Sequence, residues 1–295
     1  MPFTFRTITW DDIPQLDQLQ QRYTALYPPR KPNPSPMYAS PYFADGKNTF
    51  CAFDEHGCLV AFAPYFPQND IAWVEVEALP DLDRSAEVKD ALYAWLLERG
   101  RQDGMKKLCF QYYPSEIEAI EFAKGKGAAC NWNIYGMTRD LSQPIPPVDV
   151  PEGFTVRRWR MEREDEQRQY LDARNAAFPE APTTQEEWQF FAGAPVWEQG
   201  VNMAAFCGEE LAASVLIYFE PRSETGSTEF VFTRAQYRGK GLARCLLAES
   251  LHYLKGHGLK TAVLEVKAEN RAALSVYLGI GYELVSESGV YEVNL

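Results

Sequence analysis

The chain has 295 residues, 46% hydrophobic, 24% charged and 14% aromatic, enough for one large core or two smaller ones. Its net charge of −12 and pI near 4.9 argue against nucleic acid and against an anionic membrane surface as partners. No apolar run approaches the roughly eighteen residues that span a bilayer.

The start, "MPFTFRTITW", has neither the basic segment nor the apolar segment of an export signal, so a cytoplasmic location is expected. Six cysteines (Cys51, Cys58, Cys109, Cys130, Cys207 and Cys245) are scattered without a CxxC pair and read as reduced core thiols. With only three histidines (His56, His252 and His257), no metal site is expected.

In chain order, "FTFR" at Phe3 to Arg6 predicts a strand leading into a helical pattern that closes in "LYP" at Leu26 to Pro28. "YPPRKPNPSP" (Tyr27 to Pro36) follows and predicts a stiff, exposed loop, either a surface connection or a cover for a cleft. "FDEHGCLVAFAPYF" (Phe53 to Phe66) alternates around a polar turn, the pattern of a hairpin. A helix, a strand at Leu108 to Tyr112 and another helical pattern complete the first half. "SQPIPPVDVPEG" (Ser142 to Gly153) then breaks the chain with four prolines in eight residues. The domains are therefore expected at residues 1–146 and 153–295, with a proline-rich linker at 147–152.

The second half repeats the first. "FTVR" begins at residue 154 as "FTFR" does at 3, and Pro179 answers Pro28, both at an offset of 151. "FCGEELAASVLIYF" (Phe206 to Phe219) answers the earlier hairpin. Arg84 answers Arg238, and Gly127 answers Gly281, both at an offset of 154. Such a near-gapless register reads as a duplication. Each half mixes antiparallel hairpins with one strand–helix–strand crossover, so the expected class is α/β in its α+β form, with one mixed sheet per domain.

Within the second half, "STEFVFT" (Ser227 to Thr233) alternates like a strand, and Leu242, Leu246, Leu247 and Leu251 recur at helical spacing. Between them, "YRGKG" places Arg238, Gly239, Lys240 and Gly241 at the helix start. A helix start offers unsatisfied N–H groups and a positive dipole end, and glycine lets an anion approach the backbone. Arg238, Lys240 and Arg244 add charge. A plain glycine turn with solvated cations reads equally well from this stretch alone. It is neither a GxGxxG fingerprint nor a P-loop, since no Ser or Thr follows "GKG" to hold magnesium.

"LEVKAENRAALSVYLGIGY" (Leu264 to Tyr282) adds an acid, Glu265, on a buried strand. Asn270 is placed to cap the next helix, and Tyr277 lies on the same helical stripe two turns on.

Together, "YRGKGLARCLL" and "LEVKAENRAALSVYLGIGY" resemble the acyl-CoA-binding segments of the GCN5-related N-acetyltransferase (GNAT) superfamily. The signature Gln/Arg-x-x-Gly-x-Gly/Ala is met by Arg238, Gly241 and Ala243, and in a second register from Gln236. The later block is especially similar to the ribosomal-protein N-terminal acetyltransferase branch. The resemblance implies two tandem acyl-CoA N-acyltransferase-like domains, the first degenerate, with acetyl-CoA as co-substrate. It implies a diphosphate on the backbone of Gly239, Lys240, Gly241, Leu242, Ala243 and Arg244, beside Arg238. The pantetheine is expected along Val231, Phe232 and Thr233, with Asn270 on the cofactor arm and Tyr277 beside the thioester sulfur. Glu265 is the favoured base and Glu229, on the earlier strand, the alternate. Tyr277 would protonate the departing thiolate.

The implied reaction is direct acetyl transfer to a primary amine, on a small molecule or a peptide, by a monomer or homodimer. A non-catalytic acyl-CoA sensor or scaffold is the alternative. At an offset of 154 the first half carries Glu87, Lys89, Gln111, Glu116 and Ala123 where the second has Gly241, Ala243, Glu265, Asn270 and Tyr277. An acid at the loop glycine repels a diphosphate, so the first half is expected to bind no CoA.

Overall fold

A computed structural model describes residues 3–295. They form two compact units, residues 3–133 with Glu287–Leu295, and Ile134–Ser286. In chain order the elements are β1 (Thr4–Thr7), α1 (Ile13–Thr24), β2 (Thr49–Phe53), β3 (Leu59–Gln68), β4 (Ile71–Val74), β5 (Glu77–Ala78), α2 (Ser85–Gln102), β6 (Lys107–Tyr112), α3 (Ile117–Gly125) and β7 (Ala129–Asp140). They continue with β8 (Thr155–Trp159), α4 (Glu164–Ala177), α5 (Gln185–Ala192), β9 (Val201–Cys207), β10 (Glu210–Tyr218), β11 (Thr225–Thr233), α6 (Leu242–Gly256), β12 (Thr261–Lys267), α7 (Arg271–Gly279) and β13 (Glu283–Asn294).

The two units share one topology. In the first, β1 to β4 form an antiparallel meander, β4 runs parallel to β6, and β6 pairs antiparallel with the end of β13. In the second, β8 to β11 form the meander, β11 runs parallel to β12, and β12 pairs antiparallel with β7. The parallel registers confirm the repeat: Ile71, Ala72 and Trp73 face Lys107, Leu108 and Cys109. Adding 154 to each number gives the second unit's pairs, Thr225, Gly226 and Ser227 against Thr261, Ala262 and Val263.

The last strand of each half therefore completes the other half's sheet. The compact units divide at Asn133/Ile134, with Glu287–Leu295 belonging to the first. The proline-rich stretch is extended, but Ile145, Val148 and Phe154 lie against the second unit's core. The Arg139 guanidinium donates to Pro144 O at 2.6 Å. These contacts hold the stretch onto the second unit.

β10 is buried along nearly its whole length, as a central strand covered on both faces must be. Leucines of α6 and Leu274 of α7 pack on one face with Val215 and Ile217. Tyr170 of α4 and Trp188 of α5 pack on the other with Phe206 and Leu216. Each fully buried leucine of α6 contributes about 1.5–3 kcal/mol, so Leu246→Ala, which also opens a cavity, costs about 2–5 kcal/mol. All six cysteines are free; Cys51, Cys109 and Cys245 are buried, whereas Cys58 and Cys130 are exposed and not core thiols. Among the described residues, no helix is long and apolar enough to cross a membrane.

Candidate active site

The stretch before α6 has the form that its glycines require. Gly239 and Gly241 adopt φ of +76° and +81°, and Gly241 is the residue from which α6 starts. A Cβ at either meets nothing within 4 Å, so this backbone faces open space. Cys245 N donates to Gly241 O at 3.0 Å as the first bond of the helix. The N–H groups of Leu242, Ala243 and Arg244 thus precede any intrahelical acceptor. Arg238, Lys240 and Arg244 are exposed, and none makes a salt bridge among the described residues. Arg238 Nε donates to Thr233 O at 3.2 Å, tying the loop to the end of β11. Glu210 fixes the turn between them, accepting from Arg234, from Gln236 Nε2 at 3.1 Å and from the Tyr237 hydroxyl at 2.6 Å.

β11 and β12 pair only as far as Ser227 and Val263, although both strands run on. Past that point β11 holds a bulge: Ser214 faces Phe232 and Leu216 faces Glu229, so Val215 alone opposes Phe230 and Val231. Phe230 sits at φ +47°, a strained conformation for a bulky side chain, and the residue is 38% exposed. The Arg174 guanidinium covers that ring at 4.4 Å, and Phe178 meets it edge-on at 6.2 Å. Nothing in the local pattern "TEFVFT" signals the bulge. Val231 and Thr233 are half-buried and Phe232 is buried.

Three ionisable side chains converge beside this parted region. Glu229 is half-buried on β11, and desolvation followed by the charge of Glu265 pushes its carboxyl up to about 8. Glu265 is exposed on β12. Tyr277, on α7, is 7% exposed; burial and then Glu229 raise its phenol above the ordinary value, so it stays protonated. Asn270 is the N-cap of α7, its Oδ1 accepting from Ala273 N at 3.1 Å. The neighbouring Tyr282 hydroxyl, not anticipated from sequence, is 2.7 Å from Thr228 Oγ1, and its ring lies 6.0 Å from that of Tyr277. The structure thus places Glu229 within electrostatic range of both Glu265 and Tyr277. A half-buried carboxyl with a perturbed pKa near a buried phenol, in a gap between strands, has the make-up of an acid–base site.

Comparison with known proteins agrees with this geometry. Residues 159–282 match the model of the acetyltransferase (GNAT) family. A tandem GNAT protein from the clavulanic acid biosynthesis pathway, solved without AcCoA, superposes with a TM-score of 0.75 at 18% identity, covering 99% of this chain and 98% of that one. A GCN5-related N-acetyltransferase from Sphaerobacter thermophilus gives 0.71 at 20% identity, covering 99% and 95%.

The chain has a tandem GNAT fold.

Among curated relatives, the mycothiol acetyltransferase of Streptomyces bingchenggensis is 34% identical over 202 residues, 66% of this chain and 65% of that protein. That of Streptomyces scabiei is 33% identical over 152 residues, 50% of this chain and 48% of that protein. The chain thus spans about half to two thirds of the length of these relatives.

In the first GNAT-like unit the loop is replaced by helix. The N-cap of α2 is Arg84, at φ +59°, and the helix runs over Ser85–Gln102, whereas α6 begins only at Leu242. At the offset of 154, its first turn fills the position of the Gly239 to Gly241 loop. Arg84 closes that turn by pairing with Glu87 in the same turn. Glu116 stands at the N-cap position of α3 as Asn270 does at that of α7, but its side chain makes no capping bond and accepts instead from Tyr113 N at 2.8 Å.

The segment Tyr27 to Pro36 is not a simple exposed loop. Arg30 turns inward with its side chain 9% exposed and meets Glu75 at 3.0 Å, Glu77 at 2.7 Å and Glu116 at 3.4 Å. Burial, opposed by Arg30 and reinforced by Glu75, pushes Glu77 up to about 8. No spacing rule could have joined Arg30 to these acids.

Proposed function

We propose that the chain is an acetyl-CoA-dependent N-acyltransferase whose second unit carries the active site. The observation that supports this best is the adjacency of an open, glycine-bearing helix start, a strand pair that parts, and the Glu229–Tyr277 pair within one unit. When bound, acetyl-CoA supplies the activated acetyl thioester.

Gly239 to Arg244 would hold the diphosphate through backbone N–H groups, with Arg238, Lys240 and Arg244 supplying charge. Val231 to Thr233 would run beside the pantetheine and Asn270 beside the cofactor arm. An amine acceptor is mostly protonated at neutral pH and must lose a proton before it attacks. A carboxylate takes that proton. Sequence reading favours Glu265; desolvation and proximity to Tyr277 favour Glu229, whose pKa desolvation raises first and the charge of Glu265 second. Tyr277, held protonated, donates to the departing thiolate, and backbone N–H groups near the bulge would polarise the carbonyl.

The acceptor proposed is a primary amine on a small molecule rather than a peptide, in keeping with relatives named mycothiol acetyltransferases. The test is thiol release from acetyl-CoA with a panel of amino sugars, aminoglycosides and N-terminal peptides. Amine-dependent release by the wild type, lost in Glu229→Gln, supports the reading. CoA binding without release for any amine would establish the sensor alternative instead.

A further inference from the structure

The bulge in β11 carries two costs at one residue. Phe230 holds a left-handed backbone, which a bulky side chain resists, and it is 38% exposed, a larger share than its main-chain atoms alone could present. Part of the ring therefore meets solvent. Of the phenylalanines in the second unit, Phe230 alone is exposed. The bulge also breaks the alternation of the strand. Glu229 lies opposite Leu216, which packs in the cluster with Tyr170 of α4, and cross-strand partners share a face. Regular pleating would turn Phe230 to the other face. Instead its ring meets Arg174 and Phe178, so two consecutive side chains, Glu229 and Phe230, lie on the α4 side.

The ring is braced from behind. The Arg174 guanidinium lies over one face at 4.4 Å, and Phe178 meets the edge. Arg174 is itself buried and fixed, donating to Ala181 O at 2.6 Å and to Asn175 Oδ1 at 3.1 Å. The face turned away from Arg174 is the one left for a guest. A cation already draws on the ring's electrons from one side, so the open face suits C–H groups better than a second cation. A charged nitrogen is served by Glu229, whose Cα lies about 3.8 Å along the chain.

We propose that Phe230 selects the acceptor by taking the C–H face of a ring that carries the amine, while Glu229 meets the nitrogen. The inference rests on the transfer reading above. It narrows the acceptor from any small primary amine to one whose ring lies within about two or three bonds of the nitrogen, as the spacing of neighbouring residues requires. A ring fits better than an open chain because a rigid skeleton covers the exposed face without first being ordered. Binding then returns the Phe230 ring to an apolar contact.

The test is thiol release from acetyl-CoA with cyclohexylmethylamine and with ethylamine, primary amines of similar basicity, read as the ratio of their kcat/KM values. The wild type is expected to favour the ring-bearing amine at least about tenfold, mostly through KM. Phe230→Asn, which tolerates the left-handed backbone, should bring the ratio to within about twofold, whereas Phe230→Tyr should keep it. A general loss of folding would scale both rates and leave the ratio where it was. Should Phe230→Asn lose its native circular dichroism, Phe230→Gly tests the same ring. A wild-type ratio near one, or a preference that survives in Phe230→Asn, overturns the inference and leaves the transfer reading standing. Release with neither amine also overturns it, and the transfer reading falls only if the wider amine panel fails as well.

Discussion

The Glu229 carboxyl on β11 acts electrostatically on the Tyr277 phenol on α7, and burial with that neighbour keeps the phenol protonated. In the proposed reaction one element would supply a proton acceptor and the other a donor, in a unit whose strands part beside them.

If Tyr277 is the acid, removing its hydroxyl slows chemistry without loosening the cofactor. Tyr277→Phe is expected to lower kcat by about 10²-fold, the lower range for general acid–base groups, with CoA affinity within about twofold of wild type. Thiol-release kinetics and calorimetry measure the two effects separately. An unchanged kcat removes the tyrosine from the mechanism.

The roles of the two acids separate by pH. Glu229 titrates at about 8, so kcat/KM should rise with pH along a limb near that value. Glu265→Gln removes the charge that raises Glu229 and should move the limb to lower pH; Glu229→Gln should abolish it. If instead Glu265→Gln is inert and Glu229→Gln keeps the limb, Glu265 is the base.

Stability should follow the same titration. The folded pKa of Glu229 lies above its ordinary value of 4.5, so between 4.5 and about 8 the folded state binds more protons than the unfolded. Stability from this group is present at acid pH and is lost as pH rises through about 8. Glu229→Gln is therefore expected to raise Tm by at least about 2 °C at alkaline pH and by less at acid pH. Differential scanning calorimetry at the two extremes decides it, and a variant less stable at alkaline pH contradicts the assignment.

Arg30 is the counterion of a buried acid cluster, and removing it leaves carboxylates without a partner. Arg30→Met is expected to cost about 3–5 kcal/mol, a fall in Tm of about 10 °C. The loss should be smaller at acid pH, where the carboxyls take up protons, and Glu77→Gln in the same chain should restore part of it. A thermal melt indistinguishable from wild type shows that the cluster is solvated.

What was legible in the sequence was local. The glycines before α6, the Asn270 cap and the leucines of α6 declare themselves by backbone and periodicity, and the offset of 154 recurs in the strand register. What was not legible depends on pairing across long stretches of chain. β13 joins β6 through contacts such as Lys107–Glu292 at 2.7 Å, 185 residues apart, and Arg30 reaches Glu116 across 86. The proline run marked a break in secondary structure, but the strands on either side decide where one unit ends. The bulge at Phe230 depends on the neighbouring strand, which the run "EFVF" does not reveal.

The most direct measurement is calorimetric titration of CoA into the wild-type chain and into Gly241→Glu. The account predicts one site per chain, with affinity reduced at least about 100-fold in the variant, because a carboxylate at a left-handed helix start opposes both backbone and diphosphate. Two equivalent sites, or an affinity indifferent to the variant, would show that CoA is held elsewhere.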